Sequence, residues 1–169
     1  VNLKSNINHE MFKWLKVGAN ISGNYLHNNR IPGADLGSTI IGRAVQQRPF
    51  DRPYKPNGGY YTGGTDELLL HNAVQILSEE TSYTDNYRFI GSFWAEAQIA
   101  KGLTVRASYN NDSAYTYDYV YYNQNHPYAA DNGRILDRNR FVMTNTIDLY
   151  ANYNRKIGED FELGAMVGH

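Results

Sequence analysis

Tyr87-Arg88-Phe89-Ile90-Gly91-Ser92-Phe93-Trp94-Ala95-Glu96-Ala97-Gln98-Ile99-Ala100-Lys101-Gly102-Leu103-Thr104-Val105-Arg106-Ala107-Ser108-Tyr109-Asn110 is the stretch on which the fold turns. Successive side chains of a strand point to opposite faces, so residues two apart share a face. Tyr87, Phe89, Gly91, Phe93, Ala95, Ala97 and Ile99 fall on one side, and Arg88, Ser92, Trp94, Glu96 and Gln98 fall on the other. After the tight Ala100-Lys101-Gly102 turn the alternation resumes, with Leu103, Val105, Ala107 and Tyr109 opposite Thr104, Arg106, Ser108 and Asn110. The pattern predicts a β-hairpin with one oily and one wet face.

The same design occurs twice more. Val1, Leu3 and Ile7 oppose Asn2, Lys4, Asn6 and Asn8; a short turn over His9 to Lys13 leads to Leu15, Val17, Ala19, Ile21 and Tyr25, opposite Lys16, Gly18, Asn20, Ser22 and Asn24. Near the other end, Phe141, Met143, Ile147, Leu149 and Tyr153 oppose Thr144, Thr146, Asp148, Asn152 and Asn154. Ile157-Gly158-Glu159-Asp160 then turns into Phe161, Leu163, Ala165 and Val167. The reading is all-β: about six antiparallel strands in three hairpins.

Short turns lie at one end of these hairpins and long connections at the other, about 28–86 and about 112–139. Structureless loops beyond about 12–15 residues are uncommon in compact soluble domains, whereas outer-membrane barrels pair short periplasmic turns with long extracellular loops. Clear alternation runs for about 9–14 residues, against roughly 5–6 in globular strands and the 9–11 that cross a bilayer at a tilt. The oily face is then expected to meet lipid and the wet face to line a lumen, so no second sheet is needed as cover. Six strands cannot close a nutrient-sized pore, and open edges in lipid leave backbone groups unpaired at several kcal/mol each. Residues 1–169 are therefore expected to be part of one transmembrane β-barrel domain, cut at both ends from a longer chain.

Composition agrees. The chain has 15 Tyr, 15 Gly and 14% aromatic residues, a mix that favours strands and turns over helices. With no Cys, it has no disulfide, thiolate nucleophile or Cys-ligated zinc, as suits a periplasm-exposed protein. Sixteen basic residues against 17 acidic ones leave no footprint for nucleic acid. No window approaches the roughly 18 apolar residues of a membrane helix, a test to which barrel strands are blind. The first residues do not form a signal peptide.

Catalytic and metal chemistry find little support. His9, His27, His71, His126 and His169 are scattered without ligand spacing, so neither a metal nor a cofactor is expected. Asp66-Glu67 and Glu79-Glu80 read as solvated loop charges, and Gly58-Gly59 and Gly63-Gly64 as loop hinges. Tyr115, Tyr117, Tyr119 and Tyr121 continue the side of Tyr109 and suit an aromatic girdle at headgroup level; a stacking platform for substrate is the alternative. Substrate contacts are expected from the long loops: Arg52, Tyr54, Tyr60 and Tyr61 in the first, Tyr122, Asn123, His126 and Tyr128 in the second. Arg88, Trp94, Glu96 and Arg106 face the lumen, toward substrate or a plug, and Ser38 to Gln47 has the pattern of one short amphipathic helix.

These residues also resemble a family, the SusC/RagA-like TonB-dependent transporters of Bacteroidetes outer membranes. Phe12-Lys13-Trp14-Leu15-Lys16-Val17-Gly18-Ala19-Asn20-Ile21-Ser22 is similar to its strand opening of the form "kWLkvGanis". Arg48-Pro49-Phe50-Asp51-Arg52-Pro53-Tyr54 with Asn57-Gly58-Gly59-Tyr60 resembles an extracellular segment, and Asn72-Ala73-Val74 stands where the family usually has Asn-Pro and an apolar residue. Tyr87 to Arg106 resembles the family's "kgLt.r" hairpin. The resemblance covers essentially the whole chain through degenerate motifs whose order and spacing carry it. It implies a barrel of about 22 strands with an N-terminal plug, of which neither the plug nor a TonB box is in this sequence. It further implies a SusD-like lipoprotein lid, energy from TonB, contact with membrane lipid and lipopolysaccharide, and import of an oligosaccharide or a peptide with loops facing the cell exterior. A glycan-binding or adhesive outer-membrane barrel and a soluble glycan-binding β-sandwich are the competing readings.

Overall fold

The computed structural model describes residues 1–30, 40–46, 52–61, 72–127, 129, 132–157 and 161–169. Strands β1 (Asn2–Phe12), β2 (Leu15–Asn29), β3 (Glu80–Ala100), β4 (Leu103–Tyr122), β5 (Arg134–Ile157) and β6 (Phe161–Gly168) form one antiparallel sheet in the order β1-β2-β3-β4-β5-β6. Two short helices, α1 (Ile40–Gln46) and α2 (Ala73–Glu79), lie in sequence between β2 and β3. The all-β expectation of six strands in three hairpins is borne out. No helix among the described residues is long and apolar enough to cross a membrane.

The chain divides into two compact units. The strand unit comprises Val1–Leu26, Asn86–Tyr115 and Arg140–His169; the loop unit comprises His27–Asp85 and Thr116–Asn139. In the strand unit β1 and β2 pair through Asn6↔Asn20 and Phe12↔Leu15, with an irregularity between Glu10 and Phe12. The turn is therefore the dipeptide Lys13-Trp14, shorter than the 9–13 expected, because strand pairing continues to Phe12↔Leu15; Phe12 and Trp14 stack beside it at 5.6 Å and 5°. At the other edge β5 and β6 pair from Ile157↔Phe161 to Tyr150↔Gly168; residues 158–160 of the expected turn lie outside the described residues.

Among the described residues, no second layer covers the oily face. Phe89 and Phe93 are 42% and 40% exposed, and Ile147 and Val167 are 72% and 73%. Burying one such side chain contributes about 1.5–3 kcal/mol, so a water-soluble sheet would forgo that stabilisation many times over. Among the described residues, the buried hydrophobic side chains are Ala73 and Ile76, both on α2 in the loop unit.

Two differences from the sequence reading concern the connections. β3 starts at Glu80, β4 runs to Tyr122 and β5 starts at Arg134, so strand replaces much of the expected loop. Backbone bonds hold these extensions in register: Arg30 N–H donates to Ser82 O at 2.9 Å, and Asn123 N–H donates to Glu79 O at 2.9 Å. The expected helix is present as α1 over Ile40–Gln46, while Ser38, Thr39 and Gln47 lie outside the described residues. α2 was not expected; at seven residues it is too short to display a 3.6-residue period.

Candidate functional site

In the loop unit, the first connection presents a miniature hairpin. Tyr54 and Tyr60 form an isolated antiparallel bridge, closed by Lys55 N–H donating to Gly59 O at 2.6 Å and Gly58 N–H donating to Lys55 O at 3.0 Å. Asn57 Oδ1 accepts from Gly59 N–H at 3.2 Å, an Asx-type turn, and Gly58 at φ +85° supplies the left-handed residue that the turn needs. The Gly58-Gly59 pair, read as a hinge, is thus a defined turn. It brings the Tyr54 and Tyr60 rings to 5.7 Å with Tyr54 51% exposed, and the Tyr60 hydroxyl lies 2.5 Å from Ser78 Oγ on α2. Arg52 is exposed just before this hairpin, and Tyr61 donates its N–H to Pro53 O at 3.0 Å.

Asn72 anchors the arrangement. Its Nδ2 donates to Pro53 O at 2.6 Å and Tyr61 O at 3.1 Å, and its Oδ1 accepts from Val74 N–H at 2.9 Å and Gln75 N–H at 3.4 Å. One side chain, 1% exposed, therefore caps α2 and clips both ends of the hairpin. Gln75 Nε2 reaches the second connection by donating to Asn125 O at 2.8 Å. There Asn123 is half-buried, and Tyr122 stacks on His126 at 4.4 Å and 12°.

His126, expected among the substrate contacts, is 3% exposed and lies 3.6 Å from Glu80 Oε2. Its burial gives it a packing role in this structure. Glu80, expected to be solvated, has a side chain only 5% exposed, because strand extension brings it beneath the second connection. Tyr128, Arg48 to Asp51, Gly63-Gly64, Asp66-Glu67 and His71 lie outside the described residues. Deeper in the loop unit Asp118 binds Arg30 and accepts from Thr84 Oγ1 at 2.6 Å.

The wet face of the strand unit carries a second set. Arg88 clamps Asp112 through Nε at 3.0 Å and Nη2 at 2.6 Å, a two-point pairing that fixes both side chains. Ser92 donates to Asn110 Oδ1 at 2.6 Å, and Asn110 and Ser108 both donate to Asp148 Oδ2, at 3.0 and 3.2 Å. The Arg106 guanidinium lies 4.4 Å from the Trp94 ring centroid and 3.6 Å from Glu96 Oε2. Opposite them, a Cβ built on Gly18 would lie 2.4 Å from Trp94 Cε2. Gly18→Ala is accordingly expected to push the indole off its seat, break the Arg106 stack and cost about 1–3 kcal/mol, read as a lower urea midpoint.

Aromatic side chains gather in both units. Within the strand unit, Tyr25 and Tyr87 are 4.8 Å apart and Tyr87 and Tyr115 6.1 Å. Within the loop unit, Tyr83 contacts His27 at 5.4 Å, Tyr117 at 6.1 Å and Tyr119 at 5.2 Å. Burial among these rings, reinforced by Asp137 accepting the hydroxyl at 3.2 Å, pushes the Tyr117 phenol up to about 12. His27 bonds Asp85 at 2.7 Å and Asn29 at 3.0 Å, and these two acceptors, Asp85 first, raise its affinity for a second proton. Tyr121 is 38% exposed. Tyr25, Tyr83 and Tyr87 extend the group beyond the Tyr115–Tyr121 run, and the cross-strand register is what gathers them. No group of three or more possible metal ligands occurs among the described residues.

No family model matches the chain, and no curated protein matches its sequence. Solved structures do match. A chain of the structure described as "Structure of the RagAB peptide importer in the 'closed-closed' state" superposes over 99% of this chain with a TM-score of 0.72 at 22% identity. The chain has the fold of a stretch of that importer. A second, described as "Structure of the RagAB peptide transporter", gives a TM-score of 0.74 at 23% identity, again over 99% of this chain. In both cases the match spans 19% of the importer chain. The neighbours are transporters, and the RagA-like fold expected from the motifs is the one observed.

Proposed function

We propose that the chain forms part of the wall of a TonB-dependent importer in a bacterial outer membrane, and that its two long connections help to capture a large nutrient outside the cell. The observation that carries this reading is the uncovered oily face: Phe89, Phe93, Ile147 and Val167 stay exposed in a sheet whose opposite face bears Arg88, Asp112, Asn110 and Asp148. Lipid on one side and a wet lumen on the other satisfy both faces at once. The likeness to the RagAB chains supports it. Tyr115, Tyr117, Tyr119 and Tyr121 then serve as the aromatic girdle, and Arg88, Trp94, Glu96 and Arg106 face the lumen or a plug. A lipoprotein lid of the SusD kind, TonB, and membrane lipid with lipopolysaccharide are the partners this reading requires. No catalytic step enters it.

The substrate is an oligosaccharide or a peptide; the peptide reading is favoured by what the RagAB chains import. Tyr54 and Tyr60, held as a paired aromatic surface, suit either a sugar ring or an apolar side chain. Their joint replacement by Ala in the parent protein is expected to weaken binding of the imported ligand about tenfold, the scale of one lost aromatic contact. The assay is uptake of labelled oligosaccharides and peptides by cells producing the parent. Unaltered uptake of every compound that the wild type takes in would reject the capture role.

A further inference from the structure

Glu80 opens β3 at the end remote from the Ala100 turn. The strand has 21 residues, and about 9–11 suffice to cross a bilayer, so its first residues stand clear of one. Here a titratable pair is sealed away: the side chains of His126 and Glu80 are 0% and 5% exposed, with Nε2 and Oε2 3.6 Å apart. Around the pair, two hydrogen bonds fasten the 123–127 turn to α2, and a ring contact holds it to the end of β4. Asn123 N–H donates to Glu79 O at 2.9 Å, Gln75 Nε2 donates to Asn125 O at 2.8 Å, and Tyr122 stacks on the imidazole.

We propose that Glu80 and His126 form a proton-dependent clasp, which holds the second connection against α2 while the pair carries one proton and releases it when that proton is lost. With one proton the pair is neutral overall, as carboxylic acid beside imidazole or as carboxylate beside imidazolium. Removing the proton leaves a buried carboxylate next to a neutral ring, an arrangement that burial strongly disfavours. Among the described residues, neighbouring groups do not replace the missing charge. Glu79 adds a like charge from α2, Tyr122 on β4 offers a neutral phenol, and Arg30, just past the end of β2, is already bound to Asp118 on β4. Among the described residues, His126 is the only basic side chain paired with Glu80.

Burial pushes the Glu80 carboxyl up to about 7, against an ordinary carboxylate when the clasp is open. The closed state thus binds the proton more tightly than the open one. Its stabilisation is present while the pair holds its single proton and is lost as pH rises through about 7. The clasp depends on this packing and not on transport, so its test is independent of what the parent imports.

The test is hydrogen exchange by mass spectrometry on the full-length parent protein in detergent, corrected for the intrinsic pH dependence of exchange. Protection of the amides of Asn123, His126 and Ala129, which donate to Glu79 O, Asn123 O and His126 O, is the readout. It is expected to fall about fourfold between about pH 6.5 and pH 8.5, while the β3 amides near Phe89 and Phe93 stay constant. Glu80→Gln, which imitates the protonated acid, is expected to keep the protection and abolish its pH dependence. A wild-type profile that is flat over this range overturns the proposal. So does a Glu80→Gln profile that still falls, and so does a Glu80→Gln protein unprotected at both pH values while its β3 amides remain native.

Discussion

Asn72→Ala is expected to open the first connection, lowering protection of the Tyr61, Gln75 and Ile76 amides by roughly a hundredfold or more while leaving the sheet intact. The size follows from what one side chain satisfies. Its amide nitrogen serves Pro53 O and Tyr61 O, and its oxygen serves the N–H groups of Val74 and Gln75. Losing a cap alone costs about 1 kcal/mol, and each buried polar group left without a partner costs about 1–3 kcal/mol more. A total of about 3–4 kcal/mol is a factor of a few hundred in an opening equilibrium.

Two further substitutions divide that total. Asn72→Ser keeps an oxygen to cap α2 but cannot reach both carbonyls, so it is expected to recover the Gln75 amide and not that of Tyr61. Asn72→Asp keeps the cap while placing a carboxylate oxygen 2.6–3.1 Å from two carbonyl oxygens, and is expected to be at least as damaging as Ala. If the Ala protein keeps the wild-type protection at Tyr61, the pairing of Tyr54 with Tyr60 is maintained by something other than Asn72. The capture surface would then need another anchor.

How far the sequence could be read depends on where contrast between faces ends. Phe89, Phe93 and Leu103 alternate with Ser92, Trp94 and Thr104, so strand and facing are legible there without any partner in view. Beyond Asn86 and Asp112 both faces turn polar or aromatic, and hydropathy loses its period although the backbone keeps pairing, as Arg30 N–H with Ser82 O shows. Those extensions therefore look like loop in the sequence. The Tyr115–Tyr121 run kept an aromatic period of two and was the one clue in that region. Asn72 was noticed as a motif position, but its partners Pro53 and Tyr61 are 19 and 11 residues distant, and only the fold joins them. His126 looked like a loop side chain for the same reason: what buries it is Glu80, from the start of another strand.

Gly102→Ala is expected to be the most damaging single change in the sheet. Gly102 closes the β3–β4 turn at φ +82°, where an L side chain costs about 1–2 kcal/mol in backbone conformation alone. Space adds a second penalty, since a Cβ there would sit 2.3 Å from the backbone oxygen of Asn154 on β5. That neighbour is part of a strand and cannot swing aside as a side chain would. Moving it apart stretches the bond in which Asn154 N–H donates to Gly102 O at 2.8 Å, and this bond ties the turn to the next hairpin. Together these effects are expected to cost about 3–5 kcal/mol, measured as the shift in urea unfolding of the parent protein refolded into lipid, with less folded protein reaching the membrane. Gly102→Asn separates the causes, because Asn tolerates a positive φ but carries the same Cβ. If Asn is tolerated and Ala is not, backbone conformation dominates; if both fail alike, the approach of Asn154 does. An Ala variant that unfolds at the wild-type urea concentration would mean that β5 does not pack on this turn, and the wall proposed here would have to be built with a different neighbour beside β4.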